Sequence, residues 1–171
     1  MKQLFPLFML LLFACGGSEP LTTVETLDLN RYAGKWYEVA RLPNKFEDGL
    51  KCVTAEYTIK ENGKVQVVNR GVSIADGSAS VSEGEAKRPN TEVPGVLKVS
   101  FFKPFYGDYY VMQLDDEYGY ALVGSPDREF LWILSRTPVL PKDISSQLMQ
   151  HAENEGFDLS TLIWTEHSCS E

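Results

Sequence analysis

Gly34-Lys35-Trp36-Tyr37-Glu38-Val39-Ala40-Arg41-Leu42 is the stretch whose reading decides the fold. A glycine allows the backbone to turn tightly, and a strand-length run from Trp36 to Leu42 follows it. Downstream, similar runs recur at short intervals. Val53 to Lys60 and Val65 to Ile74 flank Glu61-Asn62-Gly63, and Asn-Gly between two alternating runs is the strongest short-range hairpin signal. Asp76-Gly77 turns the chain into Ser78 to Lys87, and Val96 to Lys103, Tyr109 to Leu114, Tyr118 to Ser125 and Phe130 to Arg136 complete eight strands. One helix follows. Pro141 suits its first position, Ile144, Leu148 and Ala152 recur every four residues, and Gly156 ends it. Ser160 to Thr165 reads as a last short strand, and Leu27 to Tyr32 as a helical turn closing one end. The pattern predicts an all-β fold, an eight-stranded antiparallel up-and-down β-barrel with the C-terminal helix packed outside. Closure removes the edges that invite aggregation, and eight strands enclose their own side chains or one small ligand.

Upstream, Lys2 precedes an apolar run from Leu4 to Ala14. A membrane-spanning helix needs about 20 apolar residues, so the run is too short to span and fits the core of a secretory signal. Leu12-Phe13-Ala14-Cys15 resembles a bacterial lipoprotein signal, in which cleavage falls before a cysteine that is then acylated. The division expected is a signal peptide at 1–14, a flexible lipidated tether at 15–26 and the barrel at 27–171. Three acyl chains on Cys15 exceed the two that stable anchoring requires. Gly16, not aspartate, follows the cysteine. The resemblance therefore implies the outer membrane, with the barrel facing the periplasm.

The formal charge is −8 and no basic block occurs, which argues against nucleic-acid binding. With two histidines and three cysteines in the whole chain, no metal site is expected, nor any cofactor. The secretory route leads to an oxidising compartment, where Cys52 and Cys169 either join or leave Cys52 as a free thiol.

Side chains on a strand alternate between the two faces. With Trp36 inward, Glu38 and Ala40 follow it. The inward sets of the next strands are Val53, Ala55 and Tyr57, then Val65, Val67, Asn69 and Gly71. Leu97, Val99 and Phe101 come next, and Tyr109, Val111 and Gln113 are assigned inward on the sixth strand. Phe130, Trp132 and Leu134 share the parity of Arg136. The candidate ligand-binding residues are therefore Glu38, Ala55, Tyr57, Val67, Asn69, Leu97, Val99, Phe101, Val111 and Trp132. They line an interior suited to an acyl chain, with its headgroup at the mouth. Phe101 to Gly107 reads either as a packed aromatic turn or as rim aromatics able to meet a membrane.

Three segments resemble the lipocalins. Gly34-Lys35-Trp36 matches the family's Gly-x-Trp motif, Leu114 to Ala121 is similar to its second motif with Leu and Asp replacing Thr and Tyr, and Leu131 to Arg136 matches its third. The likeness extends over 27–169 and is greatest to the bacterial members and to apolipoprotein D. It implies structural roles for Gly34, Trp36 and Arg136, with the guanidinium lying across the indole, and it implies a Cys52–Cys169 disulfide. It also implies a non-enzymatic protein that binds, stores or transports fatty acids, lysophospholipids or similar apolar ligands. A lipocalin-type isomerase using a cavity thiol, a haem or pigment carrier and an interaction protein that homodimerises through the open end are the alternatives.

Overall fold

The computed structural model describes residues 19–169. The expected signal peptide and Cys15 lie outside that range. Eight strands run in chain order: β1 (Gly34–Arg41), β2 (Leu50–Ile59), β3 (Val65–Ser73), β4 (Ala79–Lys87), β5 (Val96–Phe102), β6 (Phe105–Leu114), β7 (Tyr120–Gly124) and β8 (Leu131–Ser135). Each pairs antiparallel with the next, and β1 pairs with both β2 and β8, closing the barrel. A short helix α1 (Leu29–Tyr32) leads into β1, and α2 (Lys142–Asn154) and β9 (Ile163–Trp164) follow β8. The predicted fold is the observed one. The sixth strand begins earlier than expected, at Phe105.

The closed end, or floor, lies where β1 begins. Gly34 adopts a φ of +92°, a conformation that glycine tolerates, and a β-carbon on it would meet the Arg136 guanidinium at 3.4 Å. Loops 42–49, 74–78, 103–104 and 125–130 surround the open end, the mouth.

Two apolar cores result from the alternation. The inner core holds Trp36, Tyr57, Val67, Leu97, Val111 and Leu134 among others. The outer core lies between barrel and helix, where Leu148 and Ala152 of α2 meet Leu122, Leu131 and Ile133. Gly156, with φ +88°, ends the helix. There the amide of Phe157 donates to the carbonyl of Ala152 at 3.0 Å, and Phe157 itself enters the outer core.

Two bulges overturn the expected parity. On β1 the register against β8 shifts between Glu38 and Ala40, so Ala40 turns into the outer core and Arg41 turns inward. On β6 it shifts between Val111 and Gln113. Tyr109 and Val111 face inward as expected, but Gln113 pairs with Leu122 of the outer core and Leu114 takes the inward place. An extra residue in one strand of a pair has this effect on every position beyond it.

The segment read as a tether is packed from Leu21 onward. Leu21 is buried in the outer core, and the Val24 amide donates to the Val111 carbonyl at 3.0 Å.

Candidate functional site

At the floor, Trp36 is fully buried and the Arg136 guanidinium carbon sits 3.8 Å from the centre of its ring. The same guanidinium donates to the carbonyls of Tyr118, Lys35, Arg31, Tyr32 and Ala33, while the indole N–H donates to Tyr32 O at 2.8 Å. One cation thus ties three chain segments together.

Above it, three tyrosine hydroxyls meet. Tyr109 lies 2.7 Å from Tyr32 and 3.0 Å from Tyr57. Burial pushes all three phenols upward, Tyr57 to about 12, so they are neutral hydrogen-bonding groups and not bases at physiological pH. Between these rings and α1 lies a void of about 10 Å³, bounded by Leu29, Ile59, Val65 and Leu97.

From there an aromatic column climbs to the mouth. Tyr109 stacks on Trp132 with centroids 6.5 Å apart, Trp132 on Phe130 at 5.7 Å, and Phe130 on Phe46 of the 42–49 loop at 6.3 Å. Beside the column sits a buried charge network. Arg41 Nη1 donates to Glu38 Oε1 at 2.6 Å, and its Nη2 to the Glu47 carbonyl at 2.7 Å. Thr165 also donates to Glu38 Oε1, at 2.5 Å. Glu47 folds back from the loop and its carboxylate accepts from Trp132 Nε1 at 2.9 Å and Asn44 Nδ2 at 2.7 Å. Burial, then the nearby Glu47 charge, push the Glu38 carboxyl up to about 7, opposed by Thr165 and Arg41. Glu38 is therefore paired within this network and not a free carboxylate facing the lumen. Arg41 was missed because the bulge reversed its face, and Glu47 because loop residues carry no alternation signal.

The candidate ligand residues fall at different depths. Tyr57, Val67, Leu97 and Val111 are buried in the inner core. Ala55, Val99 and Trp132 pack against that core yet stay half-exposed. Asn69 lies opposite Ala55, and its Oδ1 is buried without a hydrogen-bond partner. Phe101 packs over Gly84, where a β-carbon would come within 2.8 Å of its ring, and is 45% exposed. The lower barrel is thus filled but for the small void, which Val99 also lines, and Ala55 and Trp132 leave inward apolar surface incompletely covered.

Cys52 and Cys169 form a disulfide, which removes the free-thiol alternative at Cys52. His167 bonds the Glu38 carbonyl at 2.7 Å and packs edge-on to Tyr37, and His151 lies on α2. Phe102 and Phe105 are 77% and 73% exposed, so the loop they flank is not a packed turn.

A family model described as a lipocalin-like domain matches residues 27–167. The chain is 44% identical over 159 residues to the outer membrane lipoprotein Blc of Escherichia coli, covering 91% of this chain and 90% of that protein. It is 34% identical over 152 residues to mouse apolipoprotein D, covering 84% and 79%. Among solved structures, insecticyanin of the tobacco hornworm aligns with a TM-score of 0.68 at 27% identity, covering 91% and 87%. Lobster apocrustacyanin A1 shares the fold with a TM-score of 0.68 at 22% identity, covering 82% and 79%. With the Trp36–Arg136 floor, the closed barrel and these likenesses in agreement, the chain belongs to the lipocalin family.

Proposed function

We propose that the barrel carries or stores a single-chain lipid, a fatty acid or a lysophospholipid, at the bacterial envelope. One observation carries the reading: Ala55 and Trp132 face inward and are only partly buried, so the barrel interior keeps apolar surface that the core does not cover. Burying an acyl chain there contributes about 0.8 kcal/mol per methylene. The unpartnered Asn69 Oδ1 offers an acceptor to a ligand hydroxyl. The barrel is anchored through lipidated Cys15 and stands on the periplasmic side of the outer membrane. The sequence before Gly16 and the name of the Blc relatives support that location. Catalysis has no part in the reading, because the thiol an isomerase would use is bonded to Cys169.

The test is native mass spectrometry with lipid extraction on protein purified from a bacterial host, then titrated with palmitate and lysophosphatidylethanolamine. Bound acyl lipid at one per barrel is expected. A protein that is empty on purification and takes up neither lipid refutes the reading.

A further inference from the structure

The two ends of the barrel differ in kind. At the mouth, three of the four loops present a large side chain to solvent: Phe46, 67% exposed, Ile74, 63%, and the pair Phe102 and Phe105. The fourth loop holds Phe130, which stacks beneath Phe46. At the floor, turns 60–64, 88–95 and 115–119 and the segment that leaves β8 expose no large aromatic side chain among the described residues, only Val93 and Val139. Several large apolar groups exposed at one end mark a contact surface.

The N-terminal segment leaves from the same end. Arg128 of the 125–130 loop donates to the carbonyl of Glu19, and the Thr22 amide donates to Glu155 at 3.1 Å. From Glu19 the chain descends the outer wall past Leu21 and Val24 to α1 at the floor. Three residues lie between Cys15 and Glu19, and the stretch from one to the other reaches at most about 14 Å. An acyl anchor on Cys15 therefore starts beside the mouth, not beneath the floor.

We propose that the mouth seats on a lipid bilayer, with Phe46, Ile74, Phe102 and Phe105 entering the interfacial region. The bilayer is favoured over a second copy of the chain because the anchor site emerges on this same side. Charge does not drive the contact. Exposed Lys45 and Lys103 share the rim with exposed Asp48, Asp76, Asp127 and Glu129, so no net positive face exists to seek anionic lipid. The contact is apolar and salt does not weaken it. It holds the lumen against the membrane, whatever ligand the lumen takes.

The test uses the full chain in vesicles of phosphatidylethanolamine and phosphatidylglycerol with brominated acyl chains, without added ligand. Tryptophan is introduced at the rim (Phe102→Trp) or at the floor (Asn62→Trp), and quenching is read relative to the unmodified protein. The rim tryptophan is expected to be quenched and the floor one not. Adding Phe46→Ser and Phe105→Ser to the rim variant should remove most of the quenching, and phosphatidylcholine vesicles or high salt should leave it unchanged. Quenching at the floor, at neither end, or only with anionic lipid at low salt overturns the proposal. So does rim shielding that tracks protein concentration instead of vesicles, which would assign the rim to a second copy. None of these variants touches Ala55, Val99 or Trp132. A barrel that binds no lipid in solution can therefore still dock, and one that fails to dock can still bind.

Discussion

Trp132 donates its indole N–H to the Glu47 carboxylate at 2.9 Å, and so ties the middle of the aromatic column to a loop at the mouth. The same carboxylate accepts from Asn44, and the Glu47 carbonyl accepts from Arg41. Replacing Glu47→Ala leaves the Trp132 and Asn44 donors without their acceptor. An unsatisfied buried group costs about 1–3 kcal/mol. Urea unfolding should show a loss of that size, and amide exchange in residues 42–49 should quicken. Unchanged exchange there would mean the loop is held by other contacts.

Glu38 gives a pH dependence of defined sign. Its carboxyl is held at about 7 in the folded protein, against an ordinary value of 4.5. It therefore binds its proton more tightly folded than unfolded, and stability falls as pH rises from about 4.5 towards about 7. Glu38→Gln has no such proton to lose, so its stability relative to the parent should rise across that window. Glu47→Gln should narrow the window by removing a neighbouring negative charge. Melting curves at pH 5 and pH 8 decide this, and a constant difference between parent and Glu38→Gln refutes the raised value.

Arg136→Ala removes a cation–π contact and the donors of five carbonyls. A loss of about 2–4 kcal/mol is expected in chemical denaturation. Arg136→Lys should recover little of it, because an ammonium cannot lie flat on the indole and reach the same carbonyls.

Cys169→Ser opens a loop of 117 residues and should lower stability by about 2–5 kcal/mol. The loss should be local as well as global. The Cys52 amide donates to the Glu166 carbonyl and the Thr165 amide to the Val39 carbonyl, so these two amides should exchange faster in the variant than strands elsewhere. Uniform acceleration would show that the disulfide acts only through the unfolded chain.

Ala55 lies between Trp36 and Asn69 in the register of its neighbours and is half-exposed. Ala55→Phe should fill lumen space and weaken acyl-lipid binding by about tenfold or more, the equivalent of two lost methylenes. Calorimetry or mass spectrometry would measure it. Unchanged affinity would place the ligand elsewhere.

The strands were legible because most keep a strict alternation between turn residues, and the floor because Gly34, Trp36 and Arg136 are carried by motifs. Legibility failed at two points with one physical cause. The bulges near Val39 and Met112 each add a residue that alternation cannot see, so Ala40 and Gln113 were placed on the wrong face and Arg41 was not placed inside at all. Glu47 failed for a different reason: its burial depends on a loop folding back onto Trp132, a tertiary event with no local signature. The resulting picture of the interior was too apolar, lacking the guanidinium and the second carboxylate.

The seam between β1 and β2 has a consequence for how the molecule is made. Gly34 to Tyr37 pair with β2, but Ala40 and Arg41 pair with Ile163 and Trp164 of β9. Near the mouth, then, the first strand is completed by residues that lie far downstream in sequence. Every hairpin from β2 to β8 can form from strands that are neighbours along the chain. The mouth half of this seam stays open until Ile163 and Trp164 dock on Ala40 and Arg41. A molecule without β9 would have all these hairpins and still be open along that half of the seam.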